Sequence, residues 1–373
     1  MNPWDSTNSS NPWLINVNIN ESIVGPENIA LTAEYIWSKN GNDRIDLMNW
    51  VFNYYKRKGF PYYTFDDDYL KKSFKKLQDK DSKSVLNKEG QLKNSSNLGL
   101  DVVKHFTSEL FLKAKGNKKN SYSCFEVFND NDKFKKVLMN RMGWKKTKED
   151  GFDRPYVFNI TDKMIIQGMR SSGLAYSTSH FKPLIAKYIY EKFNAKKILD
   201  PSAGWGARAI AAGSLGLEYY GIDPLTSCKV NNLMEYFNII GKVEDGVSED
   251  IKSYASFPQV DMVFSSIPYF NLEHYSDNKK QSDVKFEQYE MWLSEYLEKT
   301  IKNCLKILKG YFIICMVETV GPYEIANDLC KLCNSKGLVL KEVIPWKTST
   351  SHLSKKRKTK KTTKNTEKIF VFK

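Results

Sequence analysis

Residues 197–209 constrain the fold of this chain more than any other stretch. Lys197-Ile198-Leu199-Asp200 is a short apolar run closed by an acid. Pro201-Ser202-Ala203-Gly204-Trp205-Gly206 then turns through two glycines, and Ala207 to Leu215 has helical spacing. An apolar strand, a glycine turn and a helix in that order let the backbone approach a ligand and set it at a helix N-terminus. The unit recurs. Tyr219-Tyr220-Gly221-Ile222-Asp223 is a second strand ending in an acid, and Ser227 to Ile240 reads as a helix. A weaker strand follows near Lys242–Val243, then Val260 to Ser266, a loop, and a long helical pattern from Phe286 to Leu308. Strands alternating with helices predict an α/β domain with a mostly parallel sheet covered on both faces. Tyr311–Val317, Leu338–Ile344 and Lys368–Phe372 are three late strands. No helix fits between the last two, which predicts a terminal antiparallel hairpin.

The rhythm differs before residue 155. Residues 1–25 are rich in Asn and Ser and read as a loose arm. Ile29 to Lys58 is helical with a break at Asn40-Gly41-Asn42, and Asp66–Lys80, Asp101–Lys113 and Asp132–Met142 carry further helical spacing, the last stopped by Gly143. The expected organisation is an α-rich region over 1–155, a possible site of nucleic-acid recognition, and an α/β domain over 156–373. A length of 373 residues suits two or three domains.

Charge points to the class of partner. Lys and Arg number 57 against 43 Asp and Glu, a formal charge of +14, which favours an anionic partner without bearing on the fold. The excess is concentrated late. Lys347 to Lys373 holds ten basic residues and one acid, Glu367, and six of the seven residues from Lys355 to Lys361 are basic. The insertion 347–368 is therefore expected to neutralise phosphates through Lys355, Lys356, Arg357, Lys358, Lys360 and Lys361, with strong salt dependence and little sequence information; a localisation signal or a solvated tail is the plainer reading. No apolar run reaches the ~18 residues of a membrane span, and residues 1–5 show neither the charged start nor the apolar stretch of a secretory signal. An intracellular protein is expected, and the six scattered cysteines suit reduced, buried thiols. Cys330 and Cys333 have ligand-like spacing, but a structural zinc site needs further ligands nearby, so no metal is expected.

Gly204-x-Gly206-x-x-Ala209 alone would also fit a dinucleotide fingerprint. Two acids argue otherwise. Asp200, just before the glycines, would repel a pyrophosphate and hold an amino group. Asp223, 17 residues past Gly206, is placed to accept from ribose hydroxyls. A ligand with an ammonium, a sulfonium and a ribose fits that pair, namely S-adenosylmethionine. The stretch Asp200 to Gly206 resembles motif I of the Rossmann-like S-adenosylmethionine-dependent methyltransferases, closest to the DPFAGSG-type loop of the DNA amino-methyltransferases. The resemblance covers about residues 170–373. It implies a seven-stranded sheet and cofactor contacts from Asp200, Ser202, Ala203, Gly204, Trp205, Gly206 and Asp223. It implies adenine contacts within Gly246–Asp250, through Ser248 and Glu249. Ser179-His180-Phe181-Lys182-Pro183 resembles motif X, adding Phe181 and Lys182 to the cofactor site.

Ser265-Ser266-Ile267-Pro268-Tyr269-Phe270, after the strand Val260–Phe264, resembles motif IV of enzymes that methylate exocyclic amino groups. Such an amine is a poor nucleophile, because its lone pair is delocalised into the ring. Two acceptors can hold its protons and turn the lone pair toward the methyl group, while an aromatic ring stacks on a base flipped from the duplex. Carried onto this chain, the resemblance makes Ser266 the side-chain acceptor, Ile267 the source of the carbonyl acceptor, Pro268 the stiffener and Tyr269 the stacking ring. Ile267 stands where the family has a first proline. His274 could touch nucleic acid, though a solvated loop histidine is the plainer expectation. Cytosine C5 methylation needs a nucleophilic cysteine in this loop, normally after a proline, and none follows one. The expected activity is methylation of adenine N6 or cytosine N4 in DNA. The alternatives are an RNA-directed methyltransferase, or a non-catalytic nucleic-acid-binding protein that retains the fold.

Overall fold

The computed structural model describes residues 21–26, 28–93, 96–116, 121–143, 157–176, 178–347 and 367–373. The expected loose arm falls mostly outside these residues. So do all six basic residues expected to meet phosphate, Lys355, Lys356, Arg357, Lys358, Lys360 and Lys361.

The chain forms two compact units, and they do not follow a single cut near residue 155. One comprises residues 1–71 and 124–175; the other comprises 72–123 and 176–373. Helical spacing alone could not say which sheet or bundle a helix joins, and the segment 72–123 goes with the late strands.

The first unit is helical, as the spacing predicts. Asn40 breaks the early helical stretch because its side chain caps the next helix, Gly41–Lys58, accepting from the Asp43 amide at 3.1 Å. That helix buries Tyr55 edge-on against Phe134 of the helix Asn131–Arg141. Asp162, at the start of the helix Asp162–Ser171, accepts from Tyr55 Oη at 3.0 Å and from Lys58 Nζ at 2.7 Å. The buried carboxylate is thus paired.

The second unit is the expected α/β domain, built on a mostly parallel sheet with a terminal antiparallel hairpin. Its strands are β1 (Leu92–Lys93), β2 (Lys197–Asp200), β3 (Glu218–Ile222), β4 (Gly241–Glu244), β5 (Val260–Ser266), β6 (Leu308–Val317), β7 (Leu340–Lys347) and β8 (Glu367–Phe372). They lie in the order β1-β7-β8-β6-β5-β2-β3-β4. β4, β3, β2, β5 and β6 run parallel, and β8 is antiparallel to both β6 and β7. The sheet has eight strands rather than seven, because the two-residue β1 adds alongside β7. A strand so short carries no period-two signal to read.

Two consequences of this order position the site. The chain runs outward in one direction from β2 and in the other from β5, so the crevice at their carboxyl ends is the switch point where ligands bind in open α/β sheets. Because β8 is antiparallel, its first residue lies at that same end, with Glu367 opposite Val317, the last residue of β6.

The expected helix from Phe286 to Leu308 is interrupted. Phe286 leaves helical geometry after the short helix Ser282–Lys285 and buries its ring in the core. The chain then coils as Tyr289–Met291, a π-helical stretch Trp292–Glu298, and Lys299–Leu305. The wider π turn keeps Trp292, Tyr296 and Leu297 all buried on its inner side. Among the described residues, no helix is long and apolar enough to cross a membrane. Cys124, Cys304, Cys315 and Cys333 are buried as expected, but Cys228 is exposed, on a helix whose apolar face is carried by Val230, Leu233 and Met234.

Candidate active site

A cavity of about 360 Å3 opens at the carboxyl ends of β2, β3 and β5. That volume is within the usual range for a small-molecule site. All its described lining residues belong to the second unit.

The glycine turn forms one wall. Gly204 and Gly206 have φ of +57° and +85°, a region costly for residues with a Cβ, so the turn needs glycine at both positions. Ser202, Ala203, Gly204 and Trp205 face the cavity, whereas Gly206 serves as the N-cap of the helix Ala207–Ser214. Asp223 faces the cavity as well and also holds the turn. One oxygen accepts from the Gly204 amide at 2.9 Å, the other from the amides of Leu225 and Thr226 at 2.9 and 2.8 Å. Burial raises its pKa, and these amide bonds work in the opposite direction.

Asp200 corrects the sequence reading. Its carboxylate is fully buried and absent from the cavity wall. Arg208 donates to it from Nε at 2.6 Å and Nη2 at 3.2 Å, Tyr219 Oη at 2.6 Å, Ser265 Oγ at 2.7 Å and the Ser202 amide at 3.2 Å. With five donors upon it, this acid stitches the ends of β2, β3 and β5 together instead of meeting a ligand's ammonium. Burial works against the Arg208 charge, yet the Asp200 carboxylate carries its pKa above the ordinary guanidinium value. Lys182 is also displaced from its expected place. It precedes the helix Pro183–Lys192, and its ammonium donates to Asn97 Oδ1 at 2.6 Å, outside the wall.

Phe181, Ser248 and Glu249 do line the cavity. Ser248 Oγ lies 2.9 Å from Thr300 Oγ1, and Glu249 pairs with Lys285 at 2.7 Å. The π turn contributes Tyr296, whose hydroxyl is 3.2 Å from Ser202 Oγ.

The opposite wall is the corner after β5. Ser266, Pro268 and Tyr269 line it; Ile267 turns its side chain into the core. Its carbonyl is unaffected by the absence of the proline ring. Ser266 Oγ and Tyr269 Oη are 3.0 Å apart, and Tyr269 Oη donates to Glu367 Oε1 at 2.9 Å. His274 is partly exposed, with Asp283 Oδ2 and Asp277 Oδ1 flanking its ring at 2.7 and 3.1 Å, and its backbone pairs with Lys115.

Sequence reasoning missed several groups in this wall. Glu273, Tyr275, Tyr296, Trp346 and Glu367 all line the cavity. Glu273 accepts from Tyr275 Oη. Burial raises the pKa of both Glu273 and Glu367, while the tyrosine bonds oppose the rise. The usable signal for Glu367 was topological, since an antiparallel last strand must begin at the site end of the sheet. Trp346 Nε1 and Ser282 Oγ are buried in the wall without a hydrogen-bond partner among the described residues. Unmet polar atoms beside four carboxylates suit a polar, cationic ligand.

The chain matches no family model and no curated protein. It is similar to several solved structures. TrmN from Thermus thermophilus is 12% identical with a TM-score of 0.34, over 59% of this chain and 69% of that one. A methyltransferase from Pyrococcus furiosus is 15% identical with a TM-score of 0.34, over 51% and 81%. Magnesium protoporphyrin IX methyltransferase from Synechocystis PCC 6803, a structure with bound SAM, is 11% identical with a TM-score of 0.33, over 50% and 75%.

Proposed function

We propose that this protein binds S-adenosylmethionine and methylates an exocyclic amino group of a DNA base, adenine N6 or cytosine N4. The reading is carried by one observation: Asp223 and the Ser266–Tyr269 corner line the same cavity at the switch point of the sheet.

The residues present fit that cofactor. Asp223 would accept from the ribose hydroxyls, the Ser202–Trp205 turn would hold the methionine end, and Ser248 and Glu249 would meet the adenine. Phe181 and Trp205 offer aromatic faces to a cation. Lys280, the one lysine in the described wall, is paired with Asp245 at 3.2 Å, and Arg208 is tied to Asp200. When bound, S-adenosylmethionine supplies a methyl group activated by its sulfonium. The chain's own task is to position the acceptor. Ser266 Oγ and the Ile267 carbonyl take the two amine hydrogens, and the ring of Tyr269 stacks on the extruded base.

The nucleic-acid partner rests on the basic residues 355–361. Transfer of a tritiated methyl group to duplex DNA, single-stranded DNA and tRNA tests the reading. Label in DNA supports it; label in tRNA alone moves the substrate to RNA. Cofactor binding with no label in any of them makes the protein a non-catalytic binder.

A further inference from the structure

The reading above leaves open which way the Ser266 hydroxyl points and where the amine's surplus proton goes. A serine hydroxyl both donates and accepts, unlike a carboxylate, so its use as an acceptor requires its hydrogen to be committed elsewhere. The structure commits it. Tyr269 has one phenolic hydrogen. Its candidate acceptors are Glu367 Oε1 at 2.9 Å, Ser266 Oγ at 3.0 Å and the Cys315 carbonyl at 3.4 Å. The shortest, carboxylate-directed bond is the strongest. With that hydrogen given to Glu367, the contact of 3.0 Å between Ser266 Oγ and Tyr269 Oη has one consistent polarity, with serine donating to tyrosine. The remaining lone pairs of Ser266 Oγ are then free for a substrate N–H.

Resting on the proposed amino-methylation, we infer that Ser266, Tyr269 and Glu367 form a proton relay ending on the Glu367 carboxylate. The balance is as follows. The amine nitrogen forms a bond to the methyl carbon as the carbon–sulfur bond breaks with its electron pair going to sulfur. The nitrogen, now cationic, gives one proton to Ser266 Oγ. The Ser266 hydrogen passes to Tyr269 Oη, and the Tyr269 hydrogen passes to Glu367 Oε1. Glu367 ends neutral and later releases the proton to water. Ser266 touches the substrate through its hydroxyl and Tyr269 through its ring; Glu367 acts through them.

The surroundings suit a terminal acceptor. Tyr269 and Glu273 on the loop after β5 and Cys315 on β6 face Glu367. Neighbouring Lys368 pairs with Glu318 at 2.6 Å, and Trp346, in the same wall on β7, does not titrate. Burial favours a carboxyl that takes up a proton more readily than a solvated one, while the Tyr269 bond opposes that rise.

The test is the pH dependence of single-turnover methylation for the full chain, Glu367→Gln and Tyr269→Phe, on duplex DNA, or on whichever nucleic acid takes the label. Cofactor affinity is measured by calorimetry alongside. Glutamine still accepts from Tyr269 and so preserves the polarity, but it takes no proton. The native rate should climb with pH through a value above the ordinary glutamate range. Glu367→Gln should be flat and about 10²-fold slower at high pH, the scale of one lost general base. Tyr269→Phe should lose the same limb with cofactor affinity unchanged. At low pH the native protein should fall to the level of the glutamine variant. A native-like limb and rate in both variants would overturn the relay while leaving the proposed function standing. Absence of cofactor binding by the native chain would instead overturn the proposed function itself. Should Glu367→Gln not fold, Tyr269→Phe decides, because it removes only one oxygen.

Discussion

Arg208 and Asp200 form a closed ion pair behind the glycine turn, Nε to Oδ2 at 2.6 Å, with side chains 5% and 0% exposed. The guanidinium also donates to the Ser202 carbonyl, so a single arginine ties the end of β2 to the turn that forms the cavity wall. Buried pairs of this kind add little net stability against an apolar substitute, but removing one partner strands the other. Arg208→Met should therefore lose about 3–5 kcal/mol in urea unfolding. Asp200→Asn combined with Arg208→Met should recover part of that loss. A single variant as stable as the native chain would contradict the assignment of this pair as the anchor.

Asp223 sets a pH dependence on cofactor binding. Its carboxyl is the stronger acceptor when ionised, and burial raises its pKa above the ordinary aspartate value. Affinity for S-adenosylmethionine should rise with pH through that raised range and then level. Asp223→Asn should weaken binding about 10–100-fold at neutral pH, the size of a hydrogen bond to a charged group. Its affinity should not follow the native pH curve. Calorimetry over a pH series checks both.

Glu273 bears on stability with a definite sign. Its folded pKa lies above the unfolded value because burial penalises the charge. The folded state then holds the proton more tightly, so its contribution is present below the unfolded value and lost as pH rises through the folded one. The melting temperature of Glu273→Gln minus that of the native protein should consequently increase from pH 4 to pH 8. A difference that stays level or shrinks would exclude a strained buried carboxylate there.

Much of the fold was legible because strand and helix periods alternate cleanly from residue 197 onward, and the terminal hairpin followed from the lack of room for a helix. The turn Ser202–Gly206 was legible because a strand, two glycines and a helix follow one another in a short segment. The site was misread where a residue's role depends on partners distant in sequence. Asp200 looks like an open acceptor until Arg208, Tyr219 and Ser265 converge on it. Glu367 was the single acid in a basic tail, and only the antiparallel pairing with Val317 brings it to Tyr269. The π turn that carries Tyr296 has no sequence period of its own, so it read as continuous helix.

Ser266→Ala separates positioning from binding. It removes the side-chain acceptor for the amine and the first member of the relay, and it leaves the glycine turn and Asp223 untouched. Turnover should fall about 10²–10³-fold, the usual loss for one preorganised polar group, with cofactor affinity within twofold of native. An unchanged rate would take Ser266 out of the chemistry.

The most direct measurement is mass spectrometry of nucleosides from unmethylated duplex DNA incubated with the protein and S-adenosylmethionine. The account predicts methyl on an exocyclic nitrogen, N6-methyladenine or N4-methylcytosine. Methyl on cytosine C5, or unmodified DNA from a protein that demonstrably binds the cofactor, would contradict it.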